Sequence, residues 1–115
     1  MDLYQEIQRL RSELRYCLKQ LRIAGYALAD AERDYKIRLR AECLALRDEG
    51  MPVTLIQLTV YGVPEVAELR HERDKADVFY SAARDAYNAI KLELRIVENQ
   101  IAHELGGPGL GVGNM

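Results

Sequence analysis

A short segment rich in helix-breaking residues separates two long runs of helix-forming residues. This segment, residues 49–64, holds two of the three prolines and two of the eight glycines. A proline inside a helix lacks the N–H that the helix requires and clashes with the preceding turn. Gly50 suits the position just after a helix, and Pro64 suits the first position of the next one. The pattern therefore predicts two helices, residues 3–48 and 64–105, joined by a connector, residues 49–63.

Both predicted helices carry an apolar repeat of seven residues, which keeps one face of a helix against a partner helix. In the first helix the two seam positions are Ile7, Leu14, Leu21, Leu28 and Tyr35, and Leu3, Leu10, Cys17, Ala24 and Ala31. In the second helix they are Leu69, Ala76, Ala83, Ile90 and Val97, and Tyr80, Tyr87, Leu94 and Ile101. Helices of similar length joined by a short connector pack antiparallel. We expect an all-α fold, a long antiparallel helical hairpin resembling a coiled coil.

The connector leaves two structures open. Its residues 53–61 are rich in β-branched and aromatic types, which favours a strand, whereas Thr54 suits a helix N-cap and the leucines suit a short helix. We favour the short helix. Either way these side chains are too apolar to remain in water, and we expect a contact surface that comprises Leu55, Ile56, Leu58 and Tyr61. The glycines of residues 106–115 are expected to end the second helix and form a flexible tail.

Composition bounds the class of protein. A chain of 115 residues is one domain by length, and a net charge of −2 lacks the basic excess of a dedicated nucleic-acid binder. No apolar run approaches the roughly 20 residues that span a bilayer, and the opening residues do not resemble a signal peptide. Cys17 and Cys43 share a predicted helix roughly 39 Å apart, too far for a disulfide within one chain. We expect a cytoplasmic protein with free thiols and no membrane contact.

Candidate catalytic and metal-binding patterns are weak. Glu68 and His71 share a helix face in a spacing found in di-metal helical bundles. Only one copy occurs in the chain, in the first turns of a helix, where acidic residues complement the helix dipole. The Tyr61–Pro64 turn resembles that of a helix-turn-helix, but Glu65 and Glu68 would face phosphates with the wrong sign. We expect no metal, no cofactor and no enzymatic activity.

Apolar residues beyond the seams indicate an interface. Two helices bury one seam, yet both helices carry further apolar rows, and exposed patches of this kind mark interaction sites. The candidate oligomer or partner interface comprises Tyr16, Ile23, Tyr26, Ile37, Val78, Leu92 and Ile96. We expect a homo-oligomer, with a dimer that forms a four-helix bundle as the simplest case. Scattered apolar residues on a monomer are the alternative interpretation.

The helical part of the chain resembles small helical proteins encoded in the early regions of tailed bacteriophages and prophages. The resemblance lies in Asp2–Glu6, Leu46–Met51, the Tyr61–Pro64 turn with Val66–Arg70 after it, and Ile90–Ile101. It implies a viral protein of the bacterial cytoplasm and brings no activity or site residues with it.

Two functions fit these features. The first is a non-enzymatic protein that binds a host or phage protein, for example one that inhibits a bacterial defence system. The second is a nucleic-acid or nucleotide-binding accessory of recombination, replication or signal-nucleotide sequestration, with Arg9, Arg11, Arg15 and Arg22 as anion contacts. The second rests on the abundance of Arg and Tyr, although Glu6 and Glu13 interleave with the arginines.

Overall fold

The computed structural model describes the backbone of residues 2–113 and the side chains of residues 2–106. Three α-helices and one 3₁₀ turn account for nearly all of this part of the chain, which contains no strand. They are α1 (Leu3–Asp48), α2 (Val53–Thr59), the 3₁₀ turn (Val60–Gly62) and α3 (Pro64–Gly113). The predicted all-α class is confirmed, and the connector is helical rather than extended.

Local signals set both ends of α1. Asp2 caps the start, because its Oδ1 accepts a hydrogen bond from the Gln5 N–H at 2.7 Å. At the other end Gly50 adopts a φ of +89°. Its N–H donates to the Arg47 carbonyl at 2.9 Å, and the Met51 N–H donates to the Leu46 carbonyl at 3.1 Å. A left-handed residue with this pair of bonds is a Schellman motif, which confirms the predicted role of Gly50.

Two prolines set the starts of the next helices. Pro52 precedes α2, and its carbonyl accepts hydrogen bonds from the N–H groups of Leu55 and Ile56, both at 3.0 Å. The prediction of Thr54 as the N-cap is wrong, because Pro52 already occupies that position and Thr54 lies inside the first turn. Pro64 is the first residue of α3, as predicted, and Val63 before it is extended, as residues before proline prefer.

The helix α3 ends later than the sequence predicted. Its backbone continues to Gly113, whereas we expected the glycines after residue 105 to end it. Extending an existing helix adds one hydrogen bond per residue, while only nucleation is costly, so a long helix can carry residues of low propensity at its end. The flexibility expected for residues 106–115 falls largely on side chains outside the described residues and stays a prediction.

The chain divides into two compact units, and α1 and α3 each contribute to both. The first unit combines residues up to Leu21 with residues from Ala82 onward, and the second comprises Arg22–Ser81. In the first unit Ile7 and Leu10 are buried, and Arg11 on α1 forms an ion pair with Glu98 on α3 at 3.7 Å. This pair shows which parts of the two helices face each other in the first unit.

The second unit contains the larger core, built around the connector. Tyr35 of α1, Val60 of the 3₁₀ turn and Val66 of α3 are buried together. Partly buried side chains pack around them: Leu39, Cys43, Leu46, Val63 and Leu69. The expectation that the connector packs against other residues is therefore confirmed, and Val60 is the residue that enters the core.

Closer to the middle of α1, the second unit has a tight helix–helix contact. A Cβ atom built on Gly25 would lie 3.4 Å from Cε1 of the Tyr80 ring, so the ring packs directly over the glycine backbone. In the second unit Gly25 of α1 faces Tyr80 of α3, and Tyr35 of α1 faces Arg73 of α3. Residues later in α1 therefore contact residues earlier in α3. The two helices run antiparallel there, as predicted.

The residues at the predicted seam positions lie on the packed faces of the two long helices. Every named seam residue of α1 is buried or half-buried, and so is every named seam residue of α3. Only Ile7, Leu10 and Tyr35 among them are buried, because a helix covered by a single partner leaves the flanks of its seam open to water. The pattern therefore predicts which face packs, but not how deeply each residue is buried.

Gly50 allows a direct test of the Schellman motif. Gly50→Ala should lower the free energy of unfolding by about 1–2 kcal/mol, because a Cβ at positive φ approaches the following carbonyl. Gly62→Ala is the matched control: its φ is not positive and no atom lies within 4 Å of an added Cβ, so stability should be unchanged or rise slightly. Urea unfolding followed by circular dichroism measures both. Equal losses in the two variants would contradict the assignment.

Candidate interaction surfaces

The balance between buried and exposed apolar residues is unusual for a folded chain. Among the described residues six apolar side chains are buried, while fifteen large ones are exposed. A monomeric folded protein of this mass exposes about 6,400 Å² of surface, whereas this chain exposes 8413 Å². The apolar surfaces are therefore the leading candidates for the functional site.

In the second unit the predicted interface residues all face solvent. Ile23, Tyr26, Ile37 and Val78 are exposed by more than half of their accessible area. Ile23 and Ile37 lie two heptads apart on α1, so they share one face of that helix, opposite to the seam. We refer to Ile23, Tyr26 and Ile37 as the α1 row. Its side chains have the spacing that another helix would bury.

The first unit shows the same feature. Tyr16 on α1 and Leu92 and Ile96 on α3 are exposed. Leu92 and Ile96 are four residues apart, so they form adjacent contacts on one face of α3. Their exposure is consistent with the predicted interface.

Sequence reasoning missed two exposed residues on the long helices of the second unit. Phe79 is exposed beside Val78, and together with His71, Asp74 and Lys75 they line an open groove of about 300 Å³ on α3. Leu44 is exposed on α1, seven residues after Ile37. The spacing of seven residues from Ile37 could have identified Leu44 as part of the same face of α1. Phe79 belongs to no such row, and only the structure identifies it as exposed.

The connector surface is close to the prediction, with one correction. Leu55, Leu58 and Tyr61 are exposed, but Ile56 is 7% exposed and belongs to the inner side. In a single helix consecutive residues point about 100° apart, so Leu55 and Ile56 cannot both lie at the centre of one face. Val53, which the prediction did not include, is exposed instead.

The predicted arginine contacts are distributed over both units and are partly engaged. The guanidinium of Arg9 donates hydrogen bonds to Glu6 and Glu13, one turn before and after it on α1. The bond from Arg9 lowers the pKa of the Glu6 carboxyl below its ordinary value. Arg11 forms the ion pair with Glu98. Arg15 and Arg22 are exposed. Acidic partners thus reduce the positive field that Arg9 and Arg11 offer to an anion.

The Glu68–His71 spacing lies on the surface of α3. Both residues are exposed, and their neighbour Glu72 forms an ion pair with Lys75 at 2.9 Å. The hydrogen bond from Lys75 lowers the pKa of Glu72. Within the described residues no group of three or more His, Cys, Asp or Glu side chains is arranged to hold a metal ion. Cys17 and Cys43 are half-buried free thiols, one in each unit.

The chain matches no protein-family model, no curated protein and no solved structure. In the part of the chain that the structure describes, no helix is long and apolar enough to cross a membrane.

The ion pair between Arg11 and Glu98 provides a test of how α1 and α3 face each other in the first unit. Both side chains are about half exposed, so we expect a coupling energy of about 0.2–1 kcal/mol in a double-mutant cycle with Arg11→Ala and Glu98→Ala. Urea unfolding at low and high salt measures the coupling, which salt should weaken. Arg11→Ala combined with Glu93→Ala serves as the control cycle. A coupling between Arg11 and Glu93 as large as that with Glu98 would contradict the pairing.

Proposed function

We propose that this chain is a non-enzymatic protein that binds another protein through the apolar rows on its helices. The observation that supports the proposal is the exposure of large apolar side chains in helical register. Ile23 and Ile37 are 52% and 63% exposed, more than residues of their type usually are in a folded protein. Such a surface gains free energy when a partner covers it.

The spacing of the α1 row favours a helical partner surface. Ile23, Tyr26 and Ile37 follow intervals of three and eleven residues, both close to whole turns of an α-helix. An amphipathic helix recognises a partner through apolar anchors in this arrangement. Tyr26 adds a large amphipathic ring, a residue type that is common at the centres of protein interfaces. The partner is therefore expected to offer an apolar helix face or groove.

The biological setting follows from the resemblance to helical proteins of bacteriophages and prophages. In that setting the chain acts in the bacterial cytoplasm and binds a host or phage protein, for example a component of a defence system that it inhibits. A second copy of the chain, in a four-helix bundle, is another way to cover the same rows. Both remain proposals that rest on the surface chemistry and on the resemblance.

The experiment compares capture by the wild-type chain with capture by a double variant. Ile23→Lys with Ile37→Lys should reduce recovery of a specific protein from phage-infected bacterial lysate at least tenfold, because each lysine places a charge in an apolar contact. The matched control is Gln8→Lys with Gln57→Lys, which adds the same charges at exposed polar positions outside the rows of α1 and α3. Quantitative mass spectrometry measures recovery.

Two results would contradict this proposal. One is that the wild-type chain recovers no protein above the level of an unrelated helical protein. The other is that the row variant and the control variant recover the same protein equally well. Both variants must first show the helical circular dichroism of the wild-type chain, which we expect since all four positions are exposed.

The alternative function is binding of a nucleic acid or a nucleotide through Arg9, Arg11, Arg15 and Arg22. On this alternative, purified protein carries excess absorbance at 260 nm, and replacing all four residues with alanine abolishes binding of labelled single-stranded DNA or of a nucleotide. Binding that is unchanged in the quadruple variant would rule it out. The ion pairs of Arg9 and Arg11 make the apolar rows the better supported site.

A further inference from the structure

The part of α1 in the second unit carries a second heptad pattern outside the seam. Its first positions are Ile23, Asp30, Ile37 and Leu44, and three residues after each of them stand Tyr26, Arg33, Arg40 and Arg47. Residues three apart in an α-helix are neighbours, about 60° apart around the axis. Towards the end of α1 the pattern therefore sets Arg40 beside Ile37 and Arg47 beside Leu44. We call these four residues the Ile37–Leu44 site.

All four side chains of this site face solvent. Ile37 is 63% exposed and Leu44 is 47% exposed. Arg40 and Arg47 are exposed too, and neither forms an ion pair with another described residue. Arg47 lies in the last turn of α1, where a cation complements the helix dipole. Arg40 lies inside the helix and has no such local role, so its charge is available to a partner.

The two edges of the Ile37–Leu44 site differ in sign. Arg40 and Arg47 line one edge, whereas Asp34 and Asp48 lie on the other, four residues after positions of the apolar row. A partner helix with acidic residues along one edge of its apolar stripe meets the arginines in one direction and the aspartates in the opposite direction. The charges therefore favour one partner chemistry and one direction of docking.

We infer that the partner is an amphipathic helix with glutamate or aspartate along one edge of its apolar stripe, and that Arg40 and Arg47 bind this acidic edge. The identity of this partner rests on the proposed function, in which an apolar helix face covers the row. Ile37 and Leu44 pack against the apolar stripe, and each guanidinium group can bind a carboxylate through two hydrogen bonds. Charges at the edges of the packed face set partner choice in coiled coils in the same way.

A second copy of the chain matches this site less well. In an antiparallel two-fold pair the arginine edge of one copy faces the arginine edge of the other. In a parallel two-fold pair every residue of α1 lies level with itself, so Asp30 faces Asp30 of the second copy. Like charges at such short range repel. A single-stranded nucleic acid is also a poorer match, because its bases stack on aromatic side chains, whereas Ile37 and Leu44 are aliphatic.

The test uses two synthetic helical peptides that carry a fluorescent label and the same leucine stripe. One has glutamate along an edge of the stripe, and the other has lysine at the same positions. Fluorescence anisotropy at about 0.15 M salt measures the affinity of each peptide for the purified full chain. The wild-type chain should bind the glutamate peptide about tenfold more tightly than the lysine peptide. Arg40→Glu with Arg47→Glu should reverse this order, because the edge is then acidic.

Arg22→Glu with Lys36→Glu is the matched control. It changes the net charge by the same amount at exposed positions of α1, each one residue before an isoleucine of the row and therefore about 100° away from it. The preference for the glutamate peptide should remain in this variant. Circular dichroism verifies that both variants keep the helical content of the wild-type chain.

Several results would overturn the inference. They are equal affinity for the two peptides, no binding of the glutamate peptide up to about 100 μM, and a preference that the edge variant keeps or the control variant also reverses. Binding of labelled oligothymidylate that the edge variant abolishes would assign the arginines to a nucleic acid instead. A dimer by light scattering that the edge variant dissociates would assign them to a second copy.

The proposed function is judged separately, by capture from lysate. If capture depends on Ile23 and Ile37 but the peptides show no preference, protein binding through the row stands and the acidic partner helix is wrong. If the wild-type chain captures no protein, the proposed function itself fails.

Discussion

The structure depends on a single seam between α1 and α3. A helix has one face for each partner, and here each long helix has one long partner. Apolar residues at heptad spacing line this seam, yet only Ile7, Leu10 and Tyr35 among the seam residues of α1 are buried. The chain therefore gains less from burial than a fold of the same length with three or more helices around a core. Its remaining apolar surface is the direct consequence.

The connector compensates for this in the second unit. A short helix and a 3₁₀ turn place Val60 between Tyr35 of α1 and Val66 of α3, so three elements meet instead of two. The guanidinium of Arg73 covers the Tyr35 ring at 4.7 Å and closes the side of this core. The hydrogen bond from Arg73 to Asp74 raises the pKa of the Arg73 guanidinium. The connector is thus both a link and a third layer of the core.

Sequence reasoning predicted the parts of the fold that local chemistry decides. Gly50 and Pro64 mark helix ends because backbone geometry restricts which residues fit there, independently of tertiary contacts. The heptads identified the packed faces because helical periodicity alone relates position to direction. Tertiary packing decided the rest. Nothing in the sequence of α2 distinguishes Ile56, which is buried, from Leu55 and Leu58, which are exposed, until the core that receives one of them is known.

The candidate surfaces also divide into residues that local spacing predicted and residues that only tertiary packing revealed. The α1 row was predictable because Ile23 and Ile37 lie two heptads apart outside the seam, whereas Phe79 belongs to no repeat and was missed. Several charged residues form ion pairs on the polar faces of the helices. Arg9 is bound by Glu6 and Glu13, and Arg38 by Glu42, in pairs that lie within one helix. Such exposed pairs contribute little to stability, but they neutralise the polar faces. Burial of the exposed apolar side chains is therefore a larger source of binding free energy than the exposed charged pairs.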